Sequence, residues 1–185
     1  MKKYGLTQAE LDTYISKIDT TKWDLTKGYS LCAPVSCRCE DKVLTSPYQW
    51  EFEKSIYKII GLDIETSDKI VANLTIYLIW HRHSNLFVCS SSNFNVINGS
   101  ILKLAVQSAF TSFIECAIYD WYVPLNRIDK FDGRTLLDYV RDEMEKAKDT
   151  SGFSILSSYY RVLRKVGAKH KSEMSSAEID RMLYK

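Results

Sequence analysis

The sequence predicts a mostly α-helical protein, organised as a helical bundle within a single domain. Its 185 residues have the length of one domain, which can bury roughly 70% of the surface of the unfolded chain. Apolar residues make up 45% of the chain and charged residues 26%, as in ordinary globular proteins. Only seven glycines and three prolines are present. Tight turns between many short strands would need more of them, so helices are favoured.

Charge, apolar runs and cysteine content argue against several classes of protein. The formal net charge is +2, well below the basic balance expected of a dedicated duplex-binding domain. The strongest apolar run, Ile70 to Trp80, is too short to cross a bilayer, and the N-terminus lacks the apolar core of a signal peptide. We therefore expect a cytoplasmic protein without a membrane partner. The odd set of five cysteines then indicates reduced thiols rather than disulfides.

Local signals place the first elements. Thr7 and Glu10 have the spacing of a capping box, which predicts a helix from Gln8 to Ile18. Residues 19–45 are polar and irregular, which predicts an ordered loop. Pro47 suits a first helical turn, and the apolar spacing that follows predicts a helix ending at Gly61.

The stretch from Lys69 to Ser91 fits two patterns. Its apolar residues can form a helical face, and we favour that helix. Alternation between Leu74 and Trp80 also fits a strand, which could pair with Leu86 to Ser90. A small β-hairpin near residues 72–90 is therefore the competing prediction.

The C-terminal half has the clearest helical spacing. Apolar residues from Ser100 to Trp121 predict one central helix of about six turns. Asp132-Gly133 is predicted to cap the next helix, and a charged run on the outer face of that helix reads as a solvated surface. No linker divides the chain, so residues 1–62 and 98–184 are expected to form parts of one domain over 1–185.

Two more helices complete this half. An apolar stripe from Phe153 to Val166 predicts a helix that ends at Gly167. Ser175 and Glu178 then form a second capping box, which predicts a short final helix.

The strongest chemical signal lies at the end of the penultimate helix. Arg164 and His170 lie on either side of Gly167, where the chain can fold back. We expect this turn to bring the guanidinium and the imidazole to one phosphate-sized site. Further substrate-binding candidates surround the pair: Arg161, Lys165, Lys169 and Tyr160.

An arginine followed after a short spacer by a histidine, late in a helical domain, resembles the HEPN superfamily (higher eukaryotes and prokaryotes nucleotide-binding). The likeness covers residues 98–184 as an arrangement of helices, and Arg164 and His170 match the motif itself. The resemblance implies an RNA- or nucleotide-binding protein, and a metal-independent endoribonuclease whose cleft forms between the protomers of a homodimer. Phage defence is a setting that fits such an activity. Lys165 departs from the small polar residue often found after the motif arginine, which bears on activity more than on fold.

The two residue types suit this chemistry. A histidine can move a proton to or from a ribose 2′-hydroxyl or the leaving oxygen. An arginine can stabilise charge on the phosphate in the transition state. Glu115 is a candidate for orienting Arg164, although it also fits a merely polar helix edge. No cofactor is implied.

Three alternatives stay open. The basic residues around Arg164 can be a solvated face at a helix C-terminus, where the helix dipole favours cations. The chain can be a non-catalytic factor of a phage or mobile element that binds a partner protein. Cys32, Cys37 and Cys39 could bind zinc with a ligand from His81-Arg82-His83, but their spacing differs from paired zinc knuckles, and buried free thiols are the favoured interpretation.

Overall fold

The structure is a computed structural model that describes residues 5–22, 68–82, 88–89 and 99–183. The predicted helix from Pro47 to Gly61 and most of the predicted loop, with Cys32, Cys37 and Cys39, lie outside the described residues. Those described form seven α-helices and one two-stranded sheet, which confirms the mostly α prediction. They belong to two compact units, one with residues 5–22, 68–82 and 119–123, and one with residues 88–89, 99–118 and 124–183. The single-domain organisation stays a prediction.

The first unit begins with helix α1, Gln8–Ser16. Its capping box is present as predicted: Thr7 Oγ1 accepts from Glu10 N at 3.4 Å, and Glu10 Oε2 accepts from Thr7 N at 2.7 Å. Leu11 is the buried residue of this helix, which packs against α2. A 3-10 turn, Thr20–Lys22, follows.

Helix α2 spans Lys69–Arg82 and confirms the favoured interpretation of this stretch. The Asp68 carboxylate accepts from the N–H groups of Ile70 and Val71 at 2.8 and 3.2 Å, satisfying two free donors of the first turn. Most of the helix is buried on every side, in keeping with a sequence that is apolar from Ile70 to Trp80 apart from Asn73 and Thr75. The Trp80 ring stacks on that of Trp121 at 6.2 Å.

The competing hairpin is wrong, because Leu74 to Trp80 are helical. Strand β1, Val88–Cys89, pairs instead with β2, Gly99–Ser100, in an antiparallel arrangement. The strand alternation between 74 and 80 was misleading because a helix buried all round has no polar face to interrupt its apolar run.

The prediction of one continuous central helix of six turns is also wrong, because the chain forms three shorter helical segments there. Helix α3 spans Ile101–Gln107, α4 spans Thr111–Glu115, and a π-helical turn covers Cys116–Asp120. Between α3 and α4, Ala109 has φ +54°, Phe110 N donates to Ala105 O and Ala109 N donates to Val106 O. These two bonds form a Schellman ending. Alanine gave no sequence signal for this left-handed position.

Helix α5, Leu136–Lys146, begins at Thr135 rather than at the predicted Asp132-Gly133 cap. Gly133, with φ +68°, instead closes a turn in which its N–H donates to Asp129 O. Helix α6, Gly152–Lys165, packs against α5, and this is the most extensive helix-to-helix contact among the described residues of the second unit. Helix α7, Ser176–Met182, starts with the predicted Ser175 capping box.

An ion cluster is centred on two buried residues, Lys103 of α3 and Asp129. Lys103 Nζ lies 3.1 Å from Asp129 Oδ2 and 2.7 Å from Asp132 Oδ1, and both Lys103 and Asp129 are 1% exposed. The Lys103 ammonium also lies 5.6 Å from the centre of the Tyr139 ring. We call these residues the Lys103 cluster.

None of the helices in the described part of the chain combines the length and apolar character that a bilayer span requires.

Candidate functional site

Helix α6 ends as predicted at Gly167, and this ending creates the site. Gly167 has φ +91°, its N–H donates to Arg164 O, and Ala168 N donates to Leu163 O. The chain therefore turns back sharply in a Schellman motif. Asn126 secures the returning segment, because its Oδ1 accepts from Lys169 N at 2.8 Å. His170 is thereby placed against α5 and α6.

The His170 ring is buried between two polar partners. Its Nδ1 lies 2.8 Å from Asp138 Oδ1 on α5, and its Nε2 lies 2.9 Å from the Tyr160 hydroxyl on α6. His170 is only 8% exposed and Asp138 only 7%, whereas Tyr160 is half-buried. We call Asp138, His170 and Tyr160 the His170 cluster.

The second oxygen of Asp138 is held by backbone and hydroxyl donors. Oδ2 accepts from Thr135 N at 3.2 Å, from Thr135 Oγ1 at 2.9 Å and from Lys171 N at 3.1 Å. Burial raises the pKa of Asp138, but hydrogen bonds from Lys171, His170 and Thr135 outweigh it and lower the pKa below 3.8. Asp138 is therefore a fixed anion beside the His170 ring.

Arg164 and the backbone of His170 both donate hydrogen bonds to a third residue, Glu173. Glu173 Oε2 accepts from Arg164 Nη1 at 2.6 Å and from the backbone N–H of His170 at 2.8 Å. The hydrogen bond from Arg164 is the main cause that lowers the pKa of Glu173, followed by that from His170 N–H. The guanidinium and the His170 backbone thus converge on one carboxylate oxygen, while the imidazole points inward.

Glu115 does not orient Arg164. Its side chain is exposed, and the carboxylate that contacts the Arg164 guanidinium belongs to Glu173. Sequence reasoning missed this partner because no helical periodicity relates positions 164 and 173. The three-residue spacing from His170 to Glu173, which resembles a capping box, was the available signal.

The other predicted binding residues separate into two groups. Arg161 and Lys165 are exposed on α6 and form no ion pair within the ranges that the structure describes. Lys169 is paired, with its Nζ 2.7 Å from Glu178 Oε1. The Tyr160 hydroxyl is bound to His170.

An open groove of about 610 Å³ borders the site on the side of α5. Asp138 lines it together with Met174 and Ile179, and three cationic side chains surround them. Two of these cations are already paired: Arg134 with Asp132 and Asp142, and Arg141 with Asp142. The groove is therefore close to electrically neutral.

No cluster of His, Cys, Asp or Glu among the described residues has the arrangement of a metal site. The three cysteines of the zinc hypothesis and His83 lie outside those residues. His81 is placed on α2, where its ring lies 4.5 Å from that of Tyr77 in an edge-on contact. The zinc interpretation stays an open alternative.

Comparison of the chain with protein-family models, with curated proteins and with solved structures found no match.

Proposed function

We propose that this chain is a HEPN-like protein that binds RNA and cleaves it without a metal ion, using Arg164 and His170. One observation carries the proposal: Glu173 Oε2 lies 2.6 Å from Arg164 Nη1 and 2.8 Å from His170 N. A phosphate oxygen has the same negative charge and accepts from the same donors. The Glu173 side chain is 39% exposed, so it can move away when a phosphate replaces its carboxylate.

Arg164 belongs to a cationic face of α6. Arg161, Arg164 and Lys165 have the i, i+3, i+4 spacing that places them on one side of α6. Neither Arg161 nor Lys165 is neutralised by a carboxylate in the described ranges, so both can contact RNA phosphates. The half-buried Tyr160 lies on the same helix. Following the resemblance, the proposal includes a homodimer in which two such faces form the cleft.

Binding is tested by removing Arg161 and Lys165, the two cations of this face that have no ion pair among the described residues. We expect the double variant Arg161→Ser/Lys165→Ser to bind single-stranded RNA about tenfold or more weakly, with the salt dependence reduced by about 0.7 per cation removed. The matched control is Lys130→Ser/Lys148→Ser, which changes two exposed lysines elsewhere. Equal binding by both double variants, measured by fluorescence anisotropy, would contradict the RNA-binding surface.

Cleavage is tested with His170→Asn in EDTA. The shorter amide can still donate to Asp138 and so limits the damage to the fold, but it cannot move a proton as an imidazole does. We expect the wild type to cut RNA and the variant to lose about 100-fold or more of the rate. His81→Asn, in the first unit, is the control. Equal rates in wild type and His170→Asn, or no cleavage by the wild type, would remove the catalytic claim.

A second candidate function, a non-catalytic interaction factor, is favoured by two apolar residues in the first turn of α6. Phe153 is 38% exposed and Ile155 is 44% exposed. A photo-crosslinking residue at position 155 separates the possibilities through the mass of the adduct. An adduct of two copies supports the homodimer, whereas one defined adduct with a different protein, lost in Phe153→Ser, supports the interaction factor.

A further inference from the structure

We infer that Tyr160 is the residue that exchanges a proton with the substrate at this site, and that Asp138 is a positioning residue that sets the tautomer of His170 for this exchange. The inference rests on the proposed function and changes the roles within it. In this arrangement Tyr160 contacts the substrate, and His170 accepts the proton from Tyr160.

Burial supports this order of the three groups. Asp138 and His170 are 7% and 8% exposed, and both ring nitrogens of His170 already have protein partners. A substrate hydroxyl cannot reach either nitrogen without breaking one of these bonds. Tyr160 is the most exposed of the three, and it lies on α6 next to Arg161 and one turn before Arg164.

The hydrogen bonds define the direction of proton movement. The Asp138 carboxylate can only accept, so the Nδ1 of the neutral ring must donate to Oδ1 at 2.8 Å. Nε2 then carries a lone pair and accepts from the Tyr160 hydroxyl at 2.9 Å. The Tyr160 oxygen keeps a lone pair of its own, which is available to a substrate hydroxyl.

The cleavage step balances with these groups. The ribose 2′-hydroxyl gives its proton to Tyr160 Oη while the tyrosine proton moves to His170 Nε2, which leaves an imidazolium beside the Asp138 anion. The 2′-oxygen bonds to phosphorus as the bond from phosphorus to the 5′-oxygen breaks, and the departing 5′-oxygen takes a proton from water. The products are a 2′,3′-cyclic phosphate and a 5′-hydroxyl, and the imidazolium returns its proton to solvent through Tyr160.

Asp138→Asn tests the positioning role because the surroundings decide how the amide lies. Backbone N–H groups of Thr135 and Lys171 both donate to Oδ2. The amide oxygen must occupy that position, so the NH₂ group faces His170 Nδ1 and donates to it. The ring then carries its proton on Nε2, and Tyr160 can no longer pass a proton to it.

The experiment combines RNA cleavage with nitrogen-15 NMR of the histidine rings in the full chain, which has only three histidines. In alkaline buffer we expect the wild-type His170 ring to be protonated on Nδ1, and the Asp138→Asn ring on Nε2. We expect Tyr160→Phe and Asp138→Asn each to lose about 100-fold or more of the cleavage rate while RNA binding is kept. Tyr159→Phe is the matched control, because it removes a neighbouring hydroxyl that contacts Thr111 Oγ1 at 2.7 Å.

The outcomes separate this inference from the proposed function. A wild type that cleaves RNA while Tyr160→Phe cleaves at the same rate overturns the role of Tyr160 and leaves the proposed function standing. A wild-type ring protonated on Nε2 overturns the role of Asp138. A wild type that cleaves no RNA removes the proposed catalysis and this inference together.

Discussion

The Lys103 cluster and the His170 cluster bury charge in the same unit but are built differently. Lys103 is paired with Asp129 and Asp132, and its side chain is 1% exposed, whereas that of Asp132 is 26% exposed. The His170 cluster instead leads from the buried Asp138 to the half-buried Tyr160. An ion cluster can hold a fold together, whereas a chain of hydrogen bonds that runs from a buried carboxylate through an imidazole to a half-buried tyrosine can also exchange protons.

The largest expected effect on stability comes from a substitution in the Lys103 cluster. Lys103→Met removes the cation and leaves Asp129, which is 1% exposed, without a counter-ion and with the backbone N–H groups of Ser100 and Phe131 as its remaining donors. We expect the free energy of unfolding to fall by about 3–5 kcal/mol. Urea denaturation measures it, with the exposed Lys148→Met as control. A loss below about 1 kcal/mol would show that the ion pair between Lys103 and Asp129 contributes little to stability.

A smaller, pH-dependent effect is expected from the His170 cluster. The folded pKa of Asp138 lies below its usual 3.8, so the anion stabilises the fold above that pH and this contribution is lost as pH falls through the lowered pKa. Asp138→Asn should cost about 1–3 kcal/mol at neutral pH, because the donors around Oδ2 then meet a neutral amide oxygen instead of an anion. The difference from wild type should shrink in acid. A difference that stays constant from neutral to acid pH, in urea unfolding, would contradict the lowered pKa.

The helices that bear Lys103 and Tyr160 both end in a Schellman motif. The residue with positive φ in that motif differs between the two helices. Ala109, φ +54°, ends the helix that bears Lys103, and Gly167, φ +91°, ends the helix that bears Tyr160. Ala109→Gly should stabilise the protein by about 1 kcal/mol, and Gly167→Ala should destabilise it by about the same amount. Thermal unfolding compares the two variants. Shifts of the same sign would mean that the two endings are not equivalent.

The smallest expected effect is at the rim of the site. A hydrogen bond from Lys169 is the main cause that lowers the pKa of Glu178 to about 2. In Lys169→Met this pKa should rise toward 4.5 while the unfolding midpoint changes less than in Gly167→Ala. NMR titration of the Glu178 carboxyl measures the shift. An unchanged pKa would show that Ser175, at the start of the helix, holds the carboxylate alone.

Most signals carried by neighbouring residues were interpreted correctly from the sequence, although the predicted helix cap at Asp132-Gly133 was wrong. The capping boxes at Thr7 and Ser175 and the helix end at Gly167 are present as predicted. Each depends on contacts within one or two turns, so the residue types alone specify them. The end of α3 at Ala109 was missed because alanine is an ordinary helix residue that is held in a left-handed conformation here.

The sequence by itself determined the helical class, most helix starts and the turn that returns His170 toward α6, since these follow from local hydrogen bonding and apolar spacing. Only the tertiary structure decided which acid meets which base. Asp138 reaches His170 across 32 positions, and Glu173 rather than Glu115 meets Arg164. Such partners depend on how α5, α6 and the returning segment pack. The residues next to a carboxylate in the sequence do not indicate which cation or imidazole it will contact.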